Sequence, residues 1–335
     1  MPRAGADWER ISTVGSSSFR FAVTTVLRVS MVGWLTLAAD GAIRAQEATP
    51  LSSFSVEPET EFVSDLPADR WWDNLSLFAG IDGSKQPQDL GINALLGGRL
   101  SANLGAALIP DCGLGLQLGA GYNFSDSAVG VLDQLDPTVS GRSQLFTTAG
   151  LFQRFEGGGH WALAHDFLFE DYYDNFALGQ FRGDVGAWWD DVNQFGAWGT
   201  VGTFGDSGSA AGTPVSLRPL TQANVYWRHV WQSCAETRVW GGLAESHGEV
   251  VHVFPANPVS GVVPIIGAAV FAPLNDYLAI YGETNLIMPA DSGTVDAYLG
   301  IAFYPGGGVH RSRSNCFAPV LPVANNTSFA VDLRR

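Results

Sequence analysis

The sequence predicts an all-β protein, a closed antiparallel up-and-down barrel of about twelve strands that crosses a membrane. Three observations lead to this prediction. Apolar and polar residues alternate along many segments, those segments are long for strands, and short and long gaps between them alternate. Such a barrel has short turns on the periplasmic side and longer loops outside.

The alternation is clearest in residues 91–105, where Leu96 and Leu100 point to one face of a strand and Arg99 points to the other. Leu95 interrupts this pattern because it adds an apolar residue to the polar face. The same reading along the chain predicts strands at 73–81, 91–105, 113–124, 142–154, 160–170, 177–188, 194–204, 219–231, 237–246, 262–271, 277–288 and 295–304.

The predicted strands and the gaps between them favour a membrane barrel over a soluble sheet. Soluble strands average about 5 to 6 residues, whereas a tilted strand needs about 9 to 11 residues to cross a bilayer. Most of the predicted strands reach the second length. The long gaps at 125–141, 205–218 and 247–261 all follow odd-numbered strands, which places both chain termini in the periplasm.

Aromatic residues at the predicted strand ends fit the belts that membrane barrels carry at the two headgroup layers. The predicted periplasmic belt contains Trp72, Phe155, Trp161, Trp188, Trp189, Trp231 and Tyr304. The predicted outer belt contains Tyr122, Phe124, Phe169, Tyr172, Tyr173 and Phe204.

The composition excludes two classes of protein. The chain has 335 residues with a net charge of -15, and Lys85 is its single lysine, so it would repel phosphate backbones and nucleic acid is not an expected partner. No window reaches the run of about 18 apolar residues that a membrane helix needs. A helical membrane protein is therefore also excluded.

The chain is expected to divide into four parts. Residues 1–45 read as a signal peptide cleaved after Ala45, with arginines ahead of an apolar run and small residues at the cleavage site. Residues 46–71 form a flexible lead-in, 72–305 the barrel and 306–335 a C-terminal extension. Two placements are open for this extension, in the periplasm or folded into the barrel mouth. The expected location is the cell outer membrane.

The polar faces of the strands carry charges of both signs, and these faces should point into the barrel. Two alternatives are open for them. Arginines opposite carboxylates can set a transverse field that selects small ions or solutes, or the charges can pair and close a narrow barrel. The candidate pore-lining residues are Arg99, Gln117, Asp166, Arg182, Asp184, Arg228, Arg238, Glu283 and Asp296.

We expect no catalysis, no cofactor and no metal site. The chain has no Gly-x-Ser-x-Gly or His-Glu-x-x-His motif. His247 and His252, with Glu249 between them, fit no standard ligand spacing, and the neighbours Ser246 and His247 are poorly placed to cooperate in lipid hydrolysis.

Three cysteines, Cys112, Cys234 and Cys316, fall on the predicted periplasmic side. An exported protein can hold one disulfide there, which leaves one thiol over. The spacing does not tell which two would pair, and three unpaired thiols fit the sequence equally well.

Four long blocks of sequence resemble an uncharacterised family of planctomycete cell-envelope or secreted proteins that is known only as a domain of unknown function. The blocks are residues 78–87, 273–277, 291–300 and 321–331. The resemblance covers roughly residues 70–335; it implies a bacterial cell envelope and no particular activity.

Together these observations predict an outer-membrane barrel that acts as a narrow channel for small solutes or as a structural envelope component. Its expected partners are outer-membrane lipid and small solutes or ions, and the sequence leaves the oligomeric state open. The alternative is an exported soluble β-sandwich, either a carbohydrate-binding protein or a hydrolase, in which the apolar faces form a core between two sheets.

Overall fold

A computed structural model describes residues 70–89, 94–129, 141–210, 213–247, 260–288, 294–307, 309 and 317–334. The predicted signal peptide and nearly all of the lead-in lie outside these residues. The strands are β1 (Leu75–Lys85), β2 (Ala94–Ile109), β3 (Leu114–Val129), β4 (Arg142–Arg154), β5 (Gly159–Asp171), β6 (Asn175–Trp188), β7 (Asn193–Phe204), β8 (Asp206–Ala210), β9 (Thr213–Pro219), β10 (Gln222–Val230), β11 (Glu236–His247), β12 (Ser260–Pro273), β13 (Leu278–Ile287), β14 (Val295–Phe303) and β15 (Val331–Arg334). Short 3₁₀ helices are Trp71–Asn74, Pro87–Asp89 and Pro110–Cys112.

Twelve of these strands form a closed barrel, in the order β1-β14-β13-β12-β11-β10-β7-β6-β5-β4-β3-β2. All neighbours are antiparallel, and β1 closes the barrel against β14 with Gly80 opposite Gly300. The prediction of an all-β, closed antiparallel barrel of twelve strands is therefore confirmed, and each of the twelve predicted segments corresponds to one barrel strand. The described part of the chain contains no helix long and apolar enough to cross a membrane.

The two ends of the barrel differ in their connections. At one end, here called the short-turn end, the connections are 110–113, 155–158, 189–192, 231–235 and 274–277. At the other end, the long-loop end, the sequence between consecutive barrel strands spans 86–93, 130–141, 172–174, 205–221, 248–259 and 288–294, of which 90–93, 130–140, 211–212, 248–259 and 289–293 lie outside the described residues. The connection 205–221 contains the hairpin of β8 and β9, which is why β7 pairs directly with β10.

The outer face of the barrel is apolar around its circumference. Exposed apolar side chains on every barrel strand except β13 include Ile81, Leu100, Leu118, Leu145, Leu163, Phe181, Val201, Val225, Leu243, Ile266 and Ile301. Exposed aromatic residues near the strand ends include Phe124, Phe155, Phe169, Trp189, Phe204 and Trp231. The alternation in the sequence therefore separates an apolar exterior from a polar interior.

The interior is filled by residues 317–334, here called the C-terminal segment. It contacts Arg154 at the short-turn end, and its last strand, β15, pairs with β9 at the long-loop end. The sheet order there is β15-β9-β8. Residues 323–333 are all buried, so this segment runs through the barrel from one end to the other.

The C-terminal segment forms a hydrophobic core with the inner wall. Phe329, Val331 and Leu333 share one buried cluster with Leu95 and Phe146 of the wall. Leu95, the residue that interrupts the alternation of β2, is 2% exposed in this cluster. Its apolar side chain faces inward because the interior at this level is apolar.

Glycines give the C-terminal segment room against β2 and β3. A Cβ on Gly105 would lie 2.9 Å from Cδ of Pro319, and one on Gly119 would lie 2.7 Å from Cγ2 of Val323. Both distances are shorter than those that real Cβ atoms show. Larger residues at these two positions would therefore clash with the C-terminal segment.

Four residues of the predicted aromatic belts lie elsewhere. Tyr304 packs against a buried cluster that contains Phe78. Tyr172 is buried in the cluster around Phe329, and Tyr173 packs against that cluster. Trp188 is half-buried, and the guanidinium of Arg228 lies 5.6 Å from the centroid of its ring. Strand-end position alone therefore did not distinguish belt residues from residues that cover the filled interior.

Candidate functional site

The candidate site is the inner wall of the barrel together with the C-terminal segment. All nine predicted pore-lining residues lie on this wall. Arg99, Gln117, Asp166, Arg182, Asp184 and Asp296 are buried, and Arg228, Arg238 and Glu283 are half-buried. The structure does not bring them together in one ring; it divides them among four groups.

The first group donates hydrogen bonds to the backbone of the C-terminal segment. Arg182 reaches the carbonyl of Pro322 at 2.8 Å, and Arg99 reaches the carbonyl of Val323 at 3.4 Å. Gln117 donates to the carbonyl of Leu321 at 2.6 Å.

Three further donors complete this group. Asn103 donates to the carbonyl of Leu321 at 2.9 Å, Gln180 donates to that of Ser328 at 3.0 Å, and Arg154 donates to those of Ala318 and Pro319. The alternation places Asn103 and Gln180 inward, whereas Arg154 at the end of β4 was missed. We call the whole set the donor track: Arg99, Asn103, Gln117, Arg154, Gln180 and Arg182.

Asp166 fixes part of the donor track. Its carboxylate accepts hydrogen bonds from Thr148 at 2.8 Å, Gln180 at 3.1 Å and Arg182 at 3.0 Å. A buried ion pair is better tolerated when further hydrogen bonds support it, as those from Thr148 and Gln180 to Asp166 do here. Asp166 therefore orients two donors toward the C-terminal segment and balances the charge of Arg182.

The second group surrounds Asp184 and lies toward the short-turn end. Its carboxylate contacts Nε2 of His160 at 2.8 Å, the hydroxyl of Tyr226 at 3.2 Å and the guanidinium of Arg238 at 2.6 Å. The guanidinium of Arg238 also lies 3.7 Å from the centroid of the Tyr226 ring. Arg228 forms a separate ion pair with Glu236.

The third group surrounds Glu283. Its carboxylate accepts hydrogen bonds from the hydroxyls of Tyr281 and Tyr298, each at 3.0 Å, and from Thr327 of the C-terminal segment. The ring of Tyr298 in turn lies 4.2 Å from the guanidinium of Arg99. Glu283 is thus a carboxylate of the wall that contacts a side chain of the C-terminal segment.

The fourth group lies at the long-loop end. Asp296 accepts a hydrogen bond from Gln86 at 3.1 Å, and Arg142 pairs with Asp89 at 3.4 Å. Asp89 lies in the connection after β1, and burial raises its pKa to about 6 although Arg142 opposes the shift. Nearby, Asn326 of the C-terminal segment donates to Asp82 at 3.3 Å.

Chemically, these groups are ion pairs and hydrogen-bond networks. Within the described ranges, no cluster of three or more His, Cys, Asp or Glu side chains could hold a metal ion. Glu249 and His252 lie outside those ranges, as do the side chains of Ser246 and His247. Cys112 and Cys234 are exposed and unpaired, and Cys316 is not among the described residues.

Residues 74–331 match the family of unknown function DUF6666, and the chain belongs to this family. No curated protein matches the chain. The four sequence blocks that suggested a family of unknown function all lie inside the matched range. The expected resemblance to a family of unknown function is therefore confirmed for DUF6666.

Three solved outer-membrane structures are similar in fold. The translocator domain of autotransporter NalP from Neisseria meningitidis has 10% identity, a TM-score of 0.43, and coverage of 88% of this chain and 99% of that one. Outer membrane phospholipase A from Escherichia coli has 7% identity, a TM-score of 0.38, and coverage of 68% and 95%. The KdgM porin in complex with disordered oligogalacturonate has 8% identity, a TM-score of 0.37, and coverage of 68% and 98%.

Proposed function

We propose that this member of the DUF6666 family is an outer-membrane barrel sealed by its own C-terminal segment, and that its resting role is structural. The observation that carries the proposal is the combination of an apolar exterior with a filled interior. A barrel with this exterior suits lipid as its surroundings, and a lumen occupied by residues 317–334 does not suit a permanently open pore.

The apolar exterior also argues against the soluble β-sandwich. In a sandwich the apolar faces of the strands would be buried between two sheets. Here Leu163 and Val225 are 52% and 69% exposed, while Asp166 and Asn224 on the opposite face of the same strands are buried. We infer that lipid covers the exterior and that the short-turn end faces the periplasm.

Nothing in the proposed role requires catalysis. The interior charges described above are held in ion pairs, by hydrogen bonds from neutral side chains or by the C-terminal segment, and the role needs no nucleophile or metal. The transverse field expected from the inward arginines and carboxylates would act on solutes only when the lumen is open. A narrow channel for small solutes is therefore the second candidate role of this barrel.

Refolding the chain into lipid vesicles tests this proposal. We expect a mobility difference on gels between unheated and boiled samples, which is typical of intact membrane barrels, and few conductance events in planar bilayers. Vesicles without protein provide the baseline. A monomer that folds in buffer without lipid would contradict the membrane location, and a steady large conductance would contradict the sealed state.

A further inference from the structure

The first half of the C-terminal segment is held mainly through its main chain. Carbonyl oxygens of Ala318, Pro319, Leu321, Pro322 and Val323 all accept hydrogen bonds from the donor track. Such hydrogen bonds to carbonyl oxygens require an extended backbone, but they do not require particular side chains. They are the contacts by which a protein binds an extended peptide.

The two prolines suit this mode of binding. Proline has no N–H and a fixed φ, so Pro319 and Pro322 favour an extended chain and leave only carbonyls to satisfy. The wall accepts N–H groups between and after them, where Leu321 donates to Gln117 at 3.2 Å and Ala324 donates to Thr148 at 2.9 Å. The wall therefore matches the hydrogen-bonding pattern of a proline-containing peptide.

One side-chain pocket adds selectivity to the backbone contacts. Leu321 packs into a buried cluster with Phe152, Ala162 and Ala164 of the wall. Two alanines leave room for one branched apolar side chain next to the ring of Phe152. The preferred peptide should therefore carry a leucine or a residue of similar size next to a proline.

We propose that the donor track is a binding site for an extended, proline-containing peptide, that the C-terminal segment is its resident ligand, and that loss of this ligand opens the barrel. The inference rests on the proposed function, because it assigns a regulation to the same sealed lumen. A peptide with the sequence of residues 317–334 should bind in place of the tethered segment and close the barrel again.

The tethered segment has a strong advantage over a free peptide. A short tether gives it an effective concentration of about millimolar, so a free peptide competes poorly with the natural segment. The test therefore weakens the segment and leaves the wall intact. Leu321→Ala with Val323→Ala in the full chain does this, because both side chains belong to the segment.

The experiment measures conductance of the full chain in planar bilayers, with the peptide of residues 317–334 added at the short-turn side. We expect the double variant to be open about tenfold more often than the natural chain, because apolar burial is lost at two positions. The peptide should return the open fraction to the natural level. Replacing Pro319 and Pro322 by glycine in the peptide should weaken closure, since the free peptide is then less extended.

Two control variants test whether the change in conductance depends on the donor track. Leu163→Ala with Val185→Ala removes the same two side-chain types from the lipid face and should leave the barrel closed. Adding Asn103→Ala to the weakened variant removes a donor to the Leu321 carbonyl and should raise the half-maximal peptide concentration by about fivefold. If the double variant does not fold, Val323→Ala alone replaces it.

The outcomes separate this inference from the proposed function. A heat-modifiable barrel that stays closed in the variants would overturn the gating, and an open variant that ignores the peptide would overturn the peptide site. In both cases the sealed barrel itself would stand. Absence of any heat-modifiable barrel from the natural chain would instead overturn the proposed function.

Discussion

The ring of Phe146 on β4 lies 6.1 Å from the ring of Phe329 in the C-terminal segment, at an interplanar angle of 63°. Both side chains are fully buried. This edge contact joins the wall of the barrel to a segment that comes after the last barrel strand. It makes the interior of the barrel a hydrophobic core at this level.

Phe329→Ala should destabilise the folded barrel by about 3 to 5 kcal/mol, because a buried phenylalanine leaves a cavity when truncated. The measurement is the free energy of unfolding in lipid vesicles with urea. Phe195→Ala is the matched control, since Phe195 is 52% exposed on the outer face. Equal losses for the two variants would contradict a packed core around Phe329.

Leu163→Arg should destabilise the barrel by about 2 to 4 kcal/mol if β5 crosses a bilayer, because a charge on the lipid face is costly near the midplane. Ser207→Arg, on the exposed hairpin strand β8, should have little effect. Unfolding in vesicles measures both. In a water-soluble protein the two substitutions on exposed positions would behave alike.

Thiol labelling tests the orientation of the barrel. In a Cys316→Ser chain, a maleimide that does not cross membranes should label Cys112 and Cys234 only after the envelope is broken, since both are exposed at the short-turn end. A cysteine at Ser207, in a chain without the native cysteines, should be labelled in intact cells. The reverse result would place the long-loop end in the periplasm.

The pH dependence of stability should contain a contribution from Asp89. Burial raises its pKa in the folded protein to about 6, against about 3.9 for an unperturbed aspartate. The folded state therefore holds this proton more tightly than the unfolded state, and stability falls as the pH rises from about 4 to 6. Asp89→Asn should reduce this fall, as measured by urea unfolding at several pH values.

Asp190 in the turn 189–192 is the control for that experiment. Hydrogen bonds from Asn193 and Val192 lower the pKa of its carboxyl. Its contribution to the stability of the folded state is therefore lost only as the pH falls through that lowered pKa. Asp190→Asn should leave the loss of stability between about pH 4 and 6 unchanged. A change of that slope in Asp190→Asn, or none in Asp89→Asn, would contradict the assignment.

The barrel strands were predictable because each buries one face and exposes the other, which produces an alternation of period two over a long stretch. Leu95 is the exception to this alternation, since it is an apolar residue on the polar face of β2. Its side chain lies in an apolar part of the interior, which the polar residues beside it did not indicate. The inward direction of Arg99 and Arg182 followed from the same period. Their binding partners did not, since alternation gives the face of a residue and not what lies opposite it.

The sequence left open whether the C-terminal extension lies in the periplasm or in the barrel mouth, and it did not predict that the C-terminal segment fills the lumen. The donor track binds its carbonyl oxygens, which every residue possesses, so the contacts leave no pattern of side chains. Strands β8, β9 and β15 are short and were missed for a related reason. Their pairing is set by the arrangement of the barrel and not by an alternation of their own.

The most direct test of the account is a disulfide inside the lumen. A Cβ on Gly121 would lie 3.3 Å from Cγ1 of Val323, close enough for cysteines at these two positions to bond. In a chain without native cysteines, we expect Gly121→Cys with Val323→Cys to cross-link in lipid vesicles, and Tyr122→Cys with Val323→Cys not to, because Tyr122 points outward. A folded barrel in which the first pair stays reduced under oxidation would contradict the presence of the C-terminal segment in the lumen.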